Sequence, residues 1–387
     1  MMPVPPDALG SAVRHEWALD PDFLTVNHGS YGATPHSVRA AQDVWRMRME
    51  AQPTRFFARE YPAAIRDAAT ALAGFLHAAP ENLAFVPNAT TGCNAVLRSL
   101  RFGPGDEILV LGHVYNAVRN TARHVAERTG ARVVEAEIPF PRPTPEEILE
   151  SLARALSRRT RIAVLDHITS ASALVLPIAR MIALCHDAGV PVLVDGAHAP
   201  GQVPLDLSAL GADWYTGNCH KWLMAPKGCA FLYATPARQA DLHPVTISHG
   251  YMQGFATEFD WTGTADPSPY LAVAAALDFC ARLGGADLMA RNAALAAEAS
   301  ALLAARLGTE AGARPEMAAA MGLVRLPIRA EATPALALMM REKLFAAGTD
   351  APVNALAGAL WLRISAQAYN DIADYERLAE ILSSLLA

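Results

Sequence analysis

Between residues 107 and 234, short apolar runs alternate with segments of helical period, the pattern of an open, mainly parallel α/β sheet. Strands are expected at 108–111, 132–138, 162–166, 191–195, 214–216 and 229–233, with helices such as 146–156 and 179–188 between several of them and Gly189 ending the latter. Ahead of this block, 62–77 and 91–100 carry the spacing of amphipathic helices, whereas 1–35, broken by proline and glycine, reads as an irregular arm. Past Pro267 the chain becomes Ala/Leu-rich as far as Leu307. A strand-like 323–327 follows, then helix, strand and a terminal helix over 371–386. The expected organisation is an arm over 1–35 that joins the small domain and the site, a large domain over 36–266, and a long connecting helix with a smaller C-terminal α+β domain over 267–387. There is no repeat of fixed period.

Composition narrows the function. With 387 residues, 52% apolar and 18% charged, the chain can bury a large core and form oligomers, and the composition argues against disorder. A net charge of −6 with no basic stripe argues against nucleic acid and for a small-molecule partner. No apolar run is long enough to span a membrane. The start of the chain, with Pro3, Pro5, Pro6 and Asp7, lacks the apolar stretch of a secretory signal, so a cytoplasmic location is expected. The five cysteines (Cys93, Cys185, Cys219, Cys229, Cys280) form no CxxC pair, which argues against a disulfide frame or a metal site.

In open α/β sheets, ligands sit beyond the carboxyl ends of strands, and Asp195 closes such a run. Alone, an Asp before Gly196 suits a turn as well as catalysis. After the next expected strand comes Gly217-Asn-Cys-His-Lys-Trp222, where Lys221 stands among polar and aromatic residues rather than on a charged face. A lysine amine able to condense with an aldehyde and a carboxylate able to keep a pyridine nitrogen protonated together suit pyridoxal 5′-phosphate. Its phosphate needs an anion site, and Pro87-Asn-Ala-Thr-Thr-Gly92 opens an expected helix whose free amides could supply one. Thr90 by itself could equally be a cap.

These residues carry a resemblance. From Val26-Asn-His-Gly-Ser-Tyr-Gly-Ala-Thr-Pro35, through Val194-Asp-Gly-Ala-His-Ala-Pro-Gly201, Tyr215-Thr-Gly-Asn-Cys-His-Lys-Trp-Leu223 and Ala225-Pro-Lys-Gly228, to Leu362-Arg-Ile-Ser365 and Tyr369-Asn370, the chain resembles the fold-type I, class V pyridoxal-phosphate-dependent enzymes. Within them it is most similar to the isopenicillin N epimerase group. The resemblance implies the fold-type I transferase architecture: a large domain with a mainly parallel seven-stranded sheet, and a smaller C-terminal domain. It implies Lys221 as the Schiff-base lysine, Asp195 as the pyridinium partner, and His198 at the cofactor's phenolic oxygen. Ser170 stands where relatives carry an asparagine near that oxygen, and Tyr115 where an aromatic or imidazole ring stacks on the cofactor. Thr90, Thr91, Asn218 and His220 fall at the phosphate, joined by Thr264 from the partner subunit of a homodimer with shared sites. Arg363 matches the carboxylate-binding arginine, with Asn27, His28 and Tyr31 lining the same pocket.

The scaffold hosts several reactions. Desulfurases that use a loop cysteine before the arginine are disfavoured, because residues 348–362 contain none. Epimerisation, as in the most similar group, is the leading expectation. It needs a proton donor opposite Lys221, for which His28, Tyr31 and Cys219 are candidates. Transamination, C–S lysis and pyridoxal-phosphate binding without turnover are the alternatives, the last weakened by the presence of Lys221, Asp195 and Arg363 together. A nicotinamide enzyme is poorly supported, since no GxGxxG follows a strand.

Overall fold

The computed structural model describes residues 8–386; the Pro3–Asp7 stretch lies outside the described residues. Seven strands form the main sheet: β1 (Leu83–Val86), β2 (Glu107–Leu111), β3 (Arg132–Ala136), β4 (Thr160–Asp166), β5 (Val192–Asp195), β6 (Trp214–Asn218) and β7 (Ala230–Ala234). Their order across the sheet is β1-β7-β6-β5-β4-β2-β3, and only β7 runs against its neighbours. Helices cover both faces, so β2 and β7 are buried at every residue and show no alternation. β1 escapes the sequence pattern for that reason. It is four apolar residues long, too short for its period to be read. The chain steps outward from β2 to β3 and then back past β2 to β4, leaving a crevice at the carboxyl ends of the central strands.

A second core forms around a three-stranded antiparallel sheet of order β9-β10-β8, with β8 at Met321–Arg325, β9 at Val353–Leu356 and β10 at Ala359–Ser365. Helices Ala286–Leu307, Pro334–Ala346 and Ile372–Leu386 pack on it. The single long connecting helix is not formed. Gly284 and Gly285 adopt φ of 108° and 55° and end Val273–Arg282 before Ala286–Leu307 begins. Val273, Ala276 and Phe279 belong to the large core, Leu295, Ala299 and Leu303 to the small one.

The arm is more ordered than its composition suggests. Leu24–Thr25 pairs in parallel with Thr349–Asp350, and Leu24 and Val26 join the small core. A one-turn helix follows at His28–Tyr31, then the sixteen-residue helix His36–Ala51, which buries only Val38 and Gln42 and so shows almost no apolar face. Among the described residues, no helix is long and apolar enough to cross a membrane, and no group of three or more His, Cys, Asp or Glu side chains could hold a metal ion.

Candidate active site

β4, β5 and β6 end side by side in Asp166, Asp195 and Asn218 at the crevice. The loop from β6 to β7 is tied at its base, where the Cys219 and His220 amides both donate to the Cys229 carbonyl, at 3.0 and 3.1 Å. This loop delivers Lys221 into a cavity of about 370 Å³ shared with Asp166, Asp195, His198, Asn218 and His220. Lys221 Nζ stands 3.1 Å from His198 Nε2, with no carboxylate within 4.0 Å among the described residues. Burial, and then the positive charge of Arg363, bring its ammonium down to about 7, against the opposing pull of Asp195. Asp195 is 4% exposed and accepts the Ala197 amide on Oδ1 at 3.0 Å; burial raises its carboxyl, partly offset by that amide and by Lys221.

One end of the cavity is the start of helix Ala89–Ser99. Asn88 caps it, accepting from the Thr91 amide at 2.9 Å, while the Ala89 amide donates to Asn218 Oδ1 at 2.9 Å. A Cβ on Gly92 would come within 2.3 Å of Thr216 Oγ1, so only glycine lets the helix start press onto β6. Thr90 faces the cavity. Thr91 does not: its hydroxyl donates to Asn88, and it lines a separate cavity beside Trp261. His220 Nδ1 donates to the Cys229 carbonyl at 2.9 Å, and burial takes its imidazole down to about 4. Thr264 is exposed and does not line the Lys221 cavity of its own chain.

The arm closes over the lysine loop from the other side. Gly32 has φ of 71°, and a Cβ there would lie 1.9 Å from the His220 carbonyl oxygen. His28, expected to line the pocket, lies behind it. Its Nε2 donates to the Lys221 carbonyl at 2.9 Å and its Nδ1 accepts from the Tyr369 hydroxyl at 2.8 Å, and burial lowers it to about 4. It therefore supports the lysine backbone and is not placed to exchange a proton with a ligand. Cys219 is likewise fully buried and does not line the Lys221 cavity or the chamber that adjoins it.

A second chamber of about 340 Å³ adjoins the first, with Ser30, Tyr31, Tyr115, Ser170, His198 and Lys221 common to both. Arg363, on β10, lies at its floor and is 4% exposed. Its Nη1 donates to the Ser170 carbonyl at 2.6 Å and its Nη2 to Ser30 Oγ at 2.9 Å and Asn27 Oδ1 at 3.3 Å, while Nε has no partner. No carboxylate lies within 4.0 Å of it among the described residues. Burial and neighbouring Arg341 lower its guanidinium to about 10. Arg341 itself is held by Asp350 at 2.8 and 2.9 Å, and Asn27 Nδ2 donates to the same carboxylate at 2.7 Å. Ser170 thus serves the arginine. Tyr31 and Tyr115 flank the mouth, Tyr115 also preceding helix Asn116–Thr129. Sequence reasoning missed Asp166, which reads as an ordinary strand end, and Ser30, whose role appears only when β10 is folded beneath it.

The site therefore holds a buried guanidinium in one chamber and buried carboxylates in the other, each without an oppositely charged side chain within 4.0 Å among the described residues, with the Lys221 amine lining both. Comparison with known proteins gives a consistent picture. The family described as aminotransferase class-V matches residues 34–378. The chain is 35% identical to a probable chloroplastic L-cysteine desulfhydrase of Arabidopsis thaliana, covering 95% of this chain and 84% of that protein. It is also 35% identical to an isopenicillin N epimerase of Amycolatopsis lactamdurans, covering 96% and 97%. The solved structure of a C-DES mutant, with glycine covalently linked to its PLP cofactor, superposes with a TM-score of 0.82 at 22% identity, covering 96% of this chain and 98% of that one.

Proposed function

The chain belongs to the aminotransferase class-V family, and on that premise we propose that the cleft holds pyridoxal 5′-phosphate and that Lys221 removes the α-proton of a bound amino acid, with loss of a β-substituent as the outcome. The observation that carries this reading is the charge arrangement. Asp195 and Arg363 are each buried with no oppositely charged side chain within 4.0 Å among the described residues, Asp195 lining one and Arg363 the other of the two chambers that Lys221 borders. A protonated ring nitrogen at Asp195 and a carboxylate at Arg363 would satisfy both. The donors fit the rest of the cofactor: the Thr90 hydroxyl and amide at the positive end of helix Ala89–Ser99, with the Asn218 side-chain amide alongside, suit a phosphate, and His220 lines the same cavity.

When bound, pyridoxal phosphate withdraws electrons from the substrate α-carbon and acidifies its proton. The protein's own work is to hold and move that proton. Lys221, near neutrality because it is buried beside Arg363, is available as an unprotonated amine at physiological pH and can act as nucleophile and as base. Arg363 fixes the substrate carboxylate, and its hydrogen bonds to Ser170, Ser30 and Asn27 set the plane of the guanidinium before the ligand arrives. Tyr115 stands over the cleft, where a ring can cover the cofactor face and keep water out.

Elimination is favoured over epimerisation because two of the three candidate donors for a second proton, His28 and Cys219, lie outside both chambers. Epimerisation remains the second reading, supported by the similarity to the Amycolatopsis epimerase and by Tyr31, which does line the cleft. One assay separates them. A panel of amino acids, cysteine included, is incubated in deuterated water while α-proton exchange, chirality, 2-oxo acid and sulfide are followed. Cysteine and water giving pyruvate, ammonia and sulfide in equal amounts is expected. Exchange with racemisation and no oxo acid would overturn elimination in favour of epimerisation, and oxo acid formed only with an amino acceptor would establish transamination.

A further inference from the structure

β4 and β5 are parallel, with Asp166 directly opposite Asp195, so both side chains leave the sheet on one face at its carboxyl end. Both line the Lys221 cavity and both are buried, Asp166 at 2% exposure. No lysine, arginine or histidine nitrogen lies within 4.0 Å of either among the described residues. The Tyr115 amide reaches the Asp166 carboxylate, yet its Oδ2 is buried with no partner at all. We propose that Asp166 is a proton-bearing positioning residue that shares its proton with Asp195, so that the pair presents one negative charge, not two, to a ring nitrogen in the cleft. The inference rests on the pyridoxal-phosphate reading for that last clause only.

Two ionised carboxyls held side by side away from water repel each other, and neither can keep its solvation, so one of them takes up a proton. The surroundings decide which. Lys221 and the Ala197 amide favour charge on Asp195. Burial and the charge of Asp195 drive Asp166 well up, against weaker pulls from the Tyr115 amide and from Arg119 on helix Asn116–Thr129. The other titratable neighbours, Cys93 on helix Ala89–Ser99 and Tyr215 on β6, are themselves held neutral by burial and by these carboxylates. A protonated Asp166 then gives its orphan oxygen a use, as the donor that fixes the orientation of Asp195.

The test compares wild type with Asp166→Asn, Asp166→Ala and Asp195→Asn. In the apoprotein at pH 7, the infrared C=O stretch of a protonated carboxyl is expected in wild type and absent in Asp166→Asn. Apoprotein melts should show Asp166→Asn gaining on wild type as pH rises above about 4, because an acid raised in the folded state loses stability with rising pH and the amide does not. With pyridoxal phosphate added, Asp166→Asn should bind within about threefold of wild type, since an amide can replace a protonated carboxyl as donor, whereas Asp166→Ala should bind about tenfold weaker. Absence of the carbonyl band, or loss of binding in Asp166→Asn as large as in Asp166→Ala, would overturn the proposal. A wild-type protein that showed the band but bound no pyridoxal phosphate would instead overturn the cofactor reading.

Discussion

The imidazole of His198 lies 3.1 Å from the Lys221 amine through Nε2, while its Nδ1 accepts from the indole N–H of Trp222 at 3.5 Å. The lysine loop thus sets the tautomer of its own neighbour: with Nδ1 an acceptor, the ring proton sits on Nε2 and points at the amine. That contact is compatible only with an unprotonated Lys221, which accords with the lowered pKa of the amine.

Lys221 should carry the cofactor. Borohydride reduction of protein loaded with pyridoxal phosphate, followed by digestion and mass spectrometry, should find the pyridoxyl label on Lys221. Label on another lysine, or none after reconstitution, would remove the central assignment. Lys221→Ala should reduce turnover by at least about 10³-fold while leaving the fold intact.

The depressed lysine also sets a pH dependence of stability. A base whose folded-state value falls from 10.5 to about 7 weakens the folded apoprotein fully below pH 7, and the deficit fades as pH rises through that window. Lys221→Met apoprotein should therefore melt several degrees above wild type at pH 6 to 7, with the gap closing toward about pH 10. A gap that stayed constant across that range would show that the amine is not neutral in the fold.

Arg363→Ala should keep pyridoxal phosphate and its visible absorbance but lose turnover by on the order of 2 to 4 kcal/mol in transition-state stabilisation, because the arginine is placed to hold the substrate and not the cofactor. Arg363→Lys should restore little, since one ammonium cannot reach Ser170, Ser30 and a ligand together. Retained turnover in the alanine variant would mean that the substrate binds elsewhere.

Gly32→Ala puts a methyl group 1.9 Å from the His220 carbonyl at a positive φ, so the arm and the lysine loop must separate. A loss of about 2 kcal/mol or more in stability, with weaker retention of pyridoxal phosphate, is expected from denaturant titration and cofactor release. An unchanged protein would show that the arm does not brace Lys221.

Thr264 does not line its own chain's cleft, and we propose that it completes that of a partner subunit. Light scattering should report a dimer. Thr264→Ala and Lys221→Ala proteins, each impaired alone, should regain activity when mixed under exchange, since the hybrid rebuilds one whole site. An active monomer would contradict the idea.

The site was legible where chemistry is written in local order. Asp195, Lys221 and the Asn88–Gly92 helix start follow apolar runs whose ends can be seen in the sequence, and Asp195, Lys221, Asn88, Ala89 and Thr90 meet at one cavity. What escaped was set by distant packing. Nothing near His28 shows that it turns toward the Lys221 carbonyl and Tyr369, because those partners lie 193 and 341 residues away. The polar helix His36–Ala51 escaped because it buries two side chains, and the break at Gly284–Gly285 because an Ala/Leu-rich run masks it.

The pairing of Leu24 with Thr349 has a consequence for how the protein comes into being. The large sheet can assemble while the chain is still being synthesised, since its strands follow one another closely in sequence. Arg363 and the Asn27–Ser30 turn cannot meet until the ribosome has released the C-terminal strands, so the site is completed last, by closing a loop of more than 320 residues. A nascent chain stalled before β10 would thus hold Lys221 and Asp195 in a largely folded sheet and still be unable to grip a substrate, which delays activity until β10 has emerged.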